Sequence, residues 1–242
     1  MTDSIAALLG KLLYIIYGLI GHYGVAIIIF TVLVKLAILP LTLSQNKSMM
    51  EMNKIQPKLT EIQKKYPKDK NKQAELTAKL YQEHHINPMM GCLPLLIQMP
   101  ILFGLFKALR DPVKFVFKTQ ASYAAADKGF LWIASLKQPD VIQIGSFTLP
   151  YIFPIIAALA TFIDSKMMMV KQEKKQDKNA PEAPGASMQK SMLYMMPIMI
   201  LWWGVSFPAG LSIYWAISTL FSIAQRQVVE LMAKKKEQLA RR

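Results

Sequence analysis

The sequence predicts an all-α integral membrane protein: five transmembrane helices around a hydrophilic groove open to the cytoplasm, with an interfacial N-terminal helix and a cytoplasmic helical hairpin. Three observations predict it. First, 53% of the 242 residues are hydrophobic, and they gather in five blocks, about 24–43, 89–109, 150–166, 191–206 and 209–226. Each block approaches the ~20 residues that cross a hydrocarbon core. Second, Lys and Arg number nine in 44–86, six in 166–190 and six in 226–242. Positive residues favour the cytoplasmic side, so the N-terminus is expected outside and the C-terminus inside. Third, Lys35 interrupts the first block.

The elements follow in order. Residues 1–22 open the apolar stretch "SIAALLGKLLYIIYGLIGHYG" (4–24) with Asp3 before it, and lack a basic n-region and a cleavage site, so a signal peptide is not expected. Gly10, Lys11, Gly18, Gly21 and His22 break its apolar run, which suits a helix lying on the outer surface. Residues 23–227 form the five-span core. Within it, 46–86 reads as a cytoplasmic helical hairpin: Met52, Ile55, Leu59, Ile62 and Tyr66 recur at helical spacing. Pro57 should bend that helix or start a new turn. "YPKDKN" marks the turn, and a second helix runs from about Lys72 to His85. The outer loop 110–149 mixes aromatic, small and basic residues, with Tyr123, Phe130 and Trp132 suited to the headgroup zone. Residues 167–189 read as a flexible cytoplasmic loop, and 228–242 as a basic tail. The lone cysteine, Cys92, can form no intramolecular disulfide.

Lys35 sets the chemical question. In a straight span over 24–43 it lies about 16 Å from one end and about 12 Å from the other, beyond the roughly 6 Å a lysine can snorkel. Burying the charge there costs at least about 2.5–3.5 kcal/mol. The spans supply one carboxylate near it, Asp164. Water is the other means of solvation. Thr31, Lys35 and Thr42 share a helix face, as do Ser212, Trp215, Thr219, Ser222 and Arg226, and Gln98 adds a polar group from the second span. Together they predict a substrate-binding groove of Lys35, Thr31, Gln98, Ser212, Trp215 and Thr219, with Lys35 near its inner end. Taken alone, the Ser and Thr residues could equally bond their own backbone or a neighbouring helix.

Three stretches, "LPLTLSQNKSMMEMNKIQPKLTEIQKKY", "NPMMGCLPLLIQMPILFGLF" and "FPAGLSIYWAISTLFSIAQRQ", resemble the YidC-type membrane protein insertases over about residues 8 to 230. The short outer part is similar to the compact Gram-positive form without a large periplasmic domain. The resemblance implies a groove with a positive residue in the first span, usually arginine. Lys35 keeps the charge but not the planar five-donor fork. It also implies a mechanism. Lys35 attracts a short polar or acidic client segment, and the client's apolar part then slides along spans three and five into lipid. Implied partners are nascent membrane proteins, the Sec translocon, targeting factors and the ribosome. The hairpin residues Met52, Ile55, Leu59, Ile62 and Tyr66 would be the docking surface. The methionines, Met49, Met50, Met52 and Met167–Met169 among them, could give clients an adaptable apolar surface. The tail suits anionic lipid or ribosomal RNA; DNA is not among the expected partners.

No catalytic constellation, cofactor or metal site is expected. His84 and His85 are adjacent rather than one turn apart, and glycine-rich phosphate loops and paired intramembrane aspartates are absent from the sequence. Two rivals stand beside the insertase. One is a small-solute or ion transporter using Lys35 as its substrate site, which usually brings repeats or broken helices. The other is a chaperone that holds clients without inserting them.

Overall fold

The computed structural model describes residues 2–87, 93–173 and 186–240. Cys92, Met89 and Met90, residues 174–185 of the predicted loop, and the side chains of Met49, Met168 and Met169 lie outside the described residues. The helices are α1 (Thr2–Ile20), α2 (Tyr23–Ala37), α3 (Leu39–Lys65), α4 (Lys70–Glu83), α5 (Leu93–Arg110), α6 (Gln120–Ala125), α7 (Ile152–Glu173), α8 (Ala186–Gly204) and α9 (Ala209–Ala240). A π-helical turn, Val113–Phe117, follows α5.

The predicted all-α class needs one correction. Residues Val141–Ile144 (β1) and Phe147–Pro150 (β2) form an antiparallel hairpin, with Ile142 opposite Leu149 and Ile144 opposite Phe147. Gly145 takes φ +59° in the two-residue connection, as a primed hairpin turn requires. The third block therefore begins as strand, and its helix starts at Ile152.

The first block is also not one straight helix. The chain bends by 57° between α2 and α3. Pro40 is the cause: it has no N–H, and its ring clashes with the carbonyl four residues earlier. The bend puts Lys35 in the last turn of α2, about 4 Å along the axis from the break rather than 12 Å from an end. A cation at a helix C-terminus is favoured there by the aligned backbone dipoles. Pro57, by contrast, lies inside α3, which runs through it as one helix.

The starts of α2 and α9 and the end of α5 meet at one end of the bundle. There Tyr23, Phe117 and Tyr123 cluster their rings, and Ala209 and Gly210 donate backbone bonds to Gln138 and Leu136. α1 lies across this end. Asp3 accepts a 2.6 Å bond from Lys107 in the last turn of α5, and at the other extremity Gly21–His22 leads directly into α2. The Lys107 ammonium holds the Asp3 carboxyl below the usual carboxylate range. By length and composition α1 is nevertheless the one described helix long and apolar enough to cross a membrane, or one of two if the bent α2–α3 pair is a single span. The other predicted spans correspond to α5, α7, α8 and α9.

The main core sits at the α1 end, built from Leu13, Ile27, Phe30, Leu105, Leu109, Leu136, Leu211 and Tyr214 among others. Between α7, α8 and α9 a second core uses Ala157, Ala158 and Ala216 with Ile200. Small side chains let those helices approach closely. α1 is seated the same way: its buried stripe is Ala6, Gly10, Leu13 and Ile16. A Cβ on Gly10 would overlap the carbonyl of Phe115, whereas one on Gly18 would meet nothing. Gly10→Leu is therefore expected to lower thermal stability in detergent by about 1–3 kcal/mol or more, with Gly18→Leu unchanged. Equal melting of the two variants would refute the close seat.

At the opposite end α3 and α4 form the predicted hairpin. Tyr66 closes α3, and Asp69 caps α4 by accepting from the Lys72 amide at 2.9 Å. Ile55 and Leu59 are 2% and 4% exposed and pack on Leu80 and Ile86, with Met52, Ile62 and Tyr81 beside them. This corrects the expected docking surface. The apolar stripe is consumed by the hairpin's own core, and of the predicted residues only Tyr66 lies outside that cluster.

Candidate functional site

Between the core and the hairpin end, the helices enclose a cavity of about 160 Å³ lined by Lys35, Gln98, Thr161, Asp164, Met196, Tyr214, Trp215, Ser218, Thr219 and Ser222. It draws one polar stretch from each of α2, α5, α7 and α9, with Met196 of α8 completing the wall. The α9 contribution follows from sequence: Tyr214, Ser218, Ser222 and, with one offset, Thr219 recur at three and four residues on one face.

The polar groups are ordered along the axis. Closest to the core, the Gln98 amide donates to the Tyr214 hydroxyl at 2.8 Å. Two turns further on, Lys35 Nζ donates to Ser222 Oγ at 3.0 Å, and Ser222 in turn donates to the Ser218 carbonyl at 3.0 Å. An ammonium has three donors, and this bond uses one. Among the described residues no carboxylate pairs with Lys35. Asp164 is instead held by Arg226, Nη2 to Oδ1 at 3.1 Å and Nε to Oδ1 at 3.2 Å. Beside that pair Gln225 donates to Thr42 at 2.8 Å, tying α9 to α3. The cavity thus has a neutral polar floor at Gln98–Tyr214, an unpaired cation at mid-height and a cross-linked rim at the hairpin end.

Four of the six groove residues expected from sequence meet here: Lys35, Gln98, Trp215 and Thr219. Two do not. Thr31 is fully buried, and its hydroxyl donates to the Ile27 carbonyl at 2.7 Å within its own helix. Ser212 is buried beside a separate void of about 10 Å³ with Trp203, Gly204 and Phe207. Thr31 lies about one turn beyond Lys35, and Ser212 a little over half a turn beyond Tyr214, toward the core. Lys35 is likewise not at the inner end: Ser222, its partner, is eight residues beyond Tyr214, roughly 12 Å along α9. Thr161, Met196, Tyr214 and Ser218 were not singled out for the groove by sequence. Ser218 could have been found from its place in the α9 stripe; Met196 offered no polar signal.

Comparison with known proteins adds an independent line. The model of the 60Kd inner membrane protein family matches residues 15–237. The membrane protein insertase YidC of Caldanaerobacter subterraneus subsp. tengcongensis is 39% identical over 225 residues, 93% of this chain and 93% of that protein. The YidC of Fusobacterium nucleatum subsp. nucleatum is 36% identical over 210 residues, 87% of each. MisCA of Bacillus subtilis is 38% identical over 213 residues, 86% of this chain and 70% of its own. A crystal structure of an active YidC insertase with its first transmembrane domain resolved superposes with a TM-score of 0.61 at 30% identity over 92% of this chain, which spans 45% of that structure's chain.

Proposed function

Since the chain belongs to the 60Kd inner membrane protein family, whose relatives named above are membrane protein insertases, we propose that it inserts newly made membrane proteins into the bilayer by drawing their polar segments into the Lys35 cavity. The observation that carries the mechanism is the ammonium of Lys35, bonded to one serine and paired with no described carboxylate, in a hollow whose one lining carboxylate, Asp164, is held by Arg226. A cation so placed attracts an acidic or strongly dipolar client segment, and the low dielectric around it strengthens the pull. Ser218, Thr219, Ser222, Thr161, Gln98 and Tyr214 offer hydroxyl and amide partners that replace part of the segment's hydration, which lowers the cost of entry. No bond is made or broken in the client.

In this reading α2, α5, α7, α8 and α9 cross the membrane, α1 lies on the outer surface, and the α3–α4 hairpin and the C-terminus are cytoplasmic. The contacts of Asp3 with Lys107 and of His22 with Asp127 support the placement of α1, because they hold both of its extremities at one end of the bundle. Exposed Ile155, Ile156, Leu159 and Ile163 on α7 and Leu220 on α9 give the client's apolar part a path into lipid. The translocon, targeting factors and ribosome are partners for the hairpin's outer surface, and anionic lipid for the basic end of α9.

Purified protein in liposomes tests the activity. A newly synthesised single-span client with a short acidic outer tail should gain protease protection of that tail in proteoliposomes and not in empty liposomes. Equal protection in both would overturn autonomous insertion and leave a holding chaperone.

A further inference from the structure

The outer β-hairpin carries a feature that client insertion does not use. Ile142, Ile144, Phe147 and Leu149 are cross-strand neighbours on one face, and all four are exposed, Phe147 at 75%. The opposite face holds Gln143 and Thr148, joined by a 3.1 Å hydrogen bond. Hairpins that face water protect their open edges with charged residues or proline; in these two strands the one proline is Pro150, at the end of β2. Here residues 141–163, from the first strand well into α7, contain no charged side chain at all.

The hairpin is also held firmly at its base. The buried Asp140 carboxylate accepts from the Phe153 amide at 2.9 Å and from the Trp132 indole at 3.1 Å. It thereby caps the start of α7 from outside the helix. Its backbone carbonyl accepts from Tyr151, and Trp132 stacks on Phe153. A groove lined by Thr148, Pro150, Ile198, Leu201 and Trp202 separates the hairpin from α8. Strand β2 packs against both α7 and α8, and those helices expose Ile155, Ile156 and Leu159 and Ile198 and Trp202 respectively.

We infer that the hairpin 141–150 is an interfacial lipid anchor, its Ile142–Ile144–Phe147–Leu149 face seated in the outer leaflet beside α7 and α8. The inference rests on α7 spanning the membrane as proposed above. Its depth follows from the backbone. A two-stranded ribbon has two open edges, and unpaired N–H and C=O groups are not tolerated in hydrocarbon, so the hairpin sits at the headgroup–acyl boundary and not deeper.

The full-length chain tests this in vesicles of phosphatidylcholine and phosphatidylglycerol. In a Cys92→Ser background, single cysteines replace Phe147, Thr148 or Leu159 and carry an environment-sensitive fluorophore. Phe147→Cys should be quenched at least about twofold more by a shallow nitroxide lipid than by a deep one. Leu159→Cys, about 10 Å further along α7, should show the reverse order. Thr148→Cys, on the opposite face, should be quenched less than Phe147→Cys by the shallow lipid. A Phe147 label quenched by aqueous iodide but by neither lipid puts the hairpin in water and overturns the anchor, provided Leu159 is still quenched. A Phe147 label shielded from iodide and lipid alike means that protein covers the face, which also overturns it. If Leu159 too escapes both lipids, the spanning assignment of α7 falls, and the anchor with it.

Discussion

Lys35→Leu is expected to reduce protection of an acidic-tailed client in proteoliposomes about tenfold, while Lys35→Arg retains most of it; a factor of ten is ~1.4 kcal/mol. The size follows from two opposing terms. At an effective dielectric constant near 20, unit charges 4 Å apart attract by about 4 kcal/mol, and partial desolvation of the client carboxylate takes back much of that. Arginine keeps the charge and can still reach Ser222, so it preserves the attraction. Leucine removes it without disturbing the fold, because Ser222 keeps its own bond to the Ser218 carbonyl. Two further readouts separate charge from shape. A client with a neutral tail should lose much less than the acidic one, and thermal unfolding should shift little. Full protection with Lys35→Leu would leave the insertase standing but would show that the buried charge does not drive it.

The second large effect is expected at the hairpin. Its core is small, with Ile55, Leu59, Leu80 and Ile86 as the buried members. Truncating one such residue to alanine typically costs 2–5 kcal/mol, and placing a carboxylate there costs more because it would be buried among Leu59, Leu80 and Ile86. Ile55→Asp should therefore open α3–α4 while the bundle stays folded. Hydrogen exchange would show protection falling by about a hundredfold or more across residues 52–83 with α2 and α9 unchanged. Tyr66→Ala, at the end of α3 and outside the cluster, should leave exchange nearly unaffected. Unchanged protection in Ile55→Asp would mean that something other than this cluster holds the two helices together.

Much of this architecture was legible in the residues, and the misses have physical causes. Lys35 announced the cavity because a cation amid apolar residues needs a solvating partner. Thr219, Trp215 and Gln98 followed from helical spacing and their place in apolar blocks. The same spacing misplaced Thr31 and Ser212. Periodicity gives the angle of a side chain around its own axis, but not the height at which neighbouring helices close against it. At Thr31 they have already closed around Ile27 and Phe30. Pro40 was visible, yet the apolar run continued to Leu43 and masked the bend at Ile38. In "VIQIGSFTLP" the apolar content that merges with the next block hid a period-two pattern of strands. The stripe from Met52 to Tyr66 was recognised as amphipathic, but an apolar face does not say whether its partner is another protein or the next helix of the same chain.

One consequence of α9 being a single helix from Ala209 to Ala240, with no proline or glycine beyond Gly210, is mechanical. Its start is pinned to the loop before β1 through the Gln138 and Leu136 carbonyls, so the remainder acts as a lever about that pivot. Tilting it by about 5° moves the far end by roughly 4 Å and Ser222, some 20 Å along, by about 1.7 Å. That displacement is enough to break the 3.0 Å contact with Lys35. A body that pushes on the far end of α9 can therefore free the ammonium from Ser222 without touching the cavity.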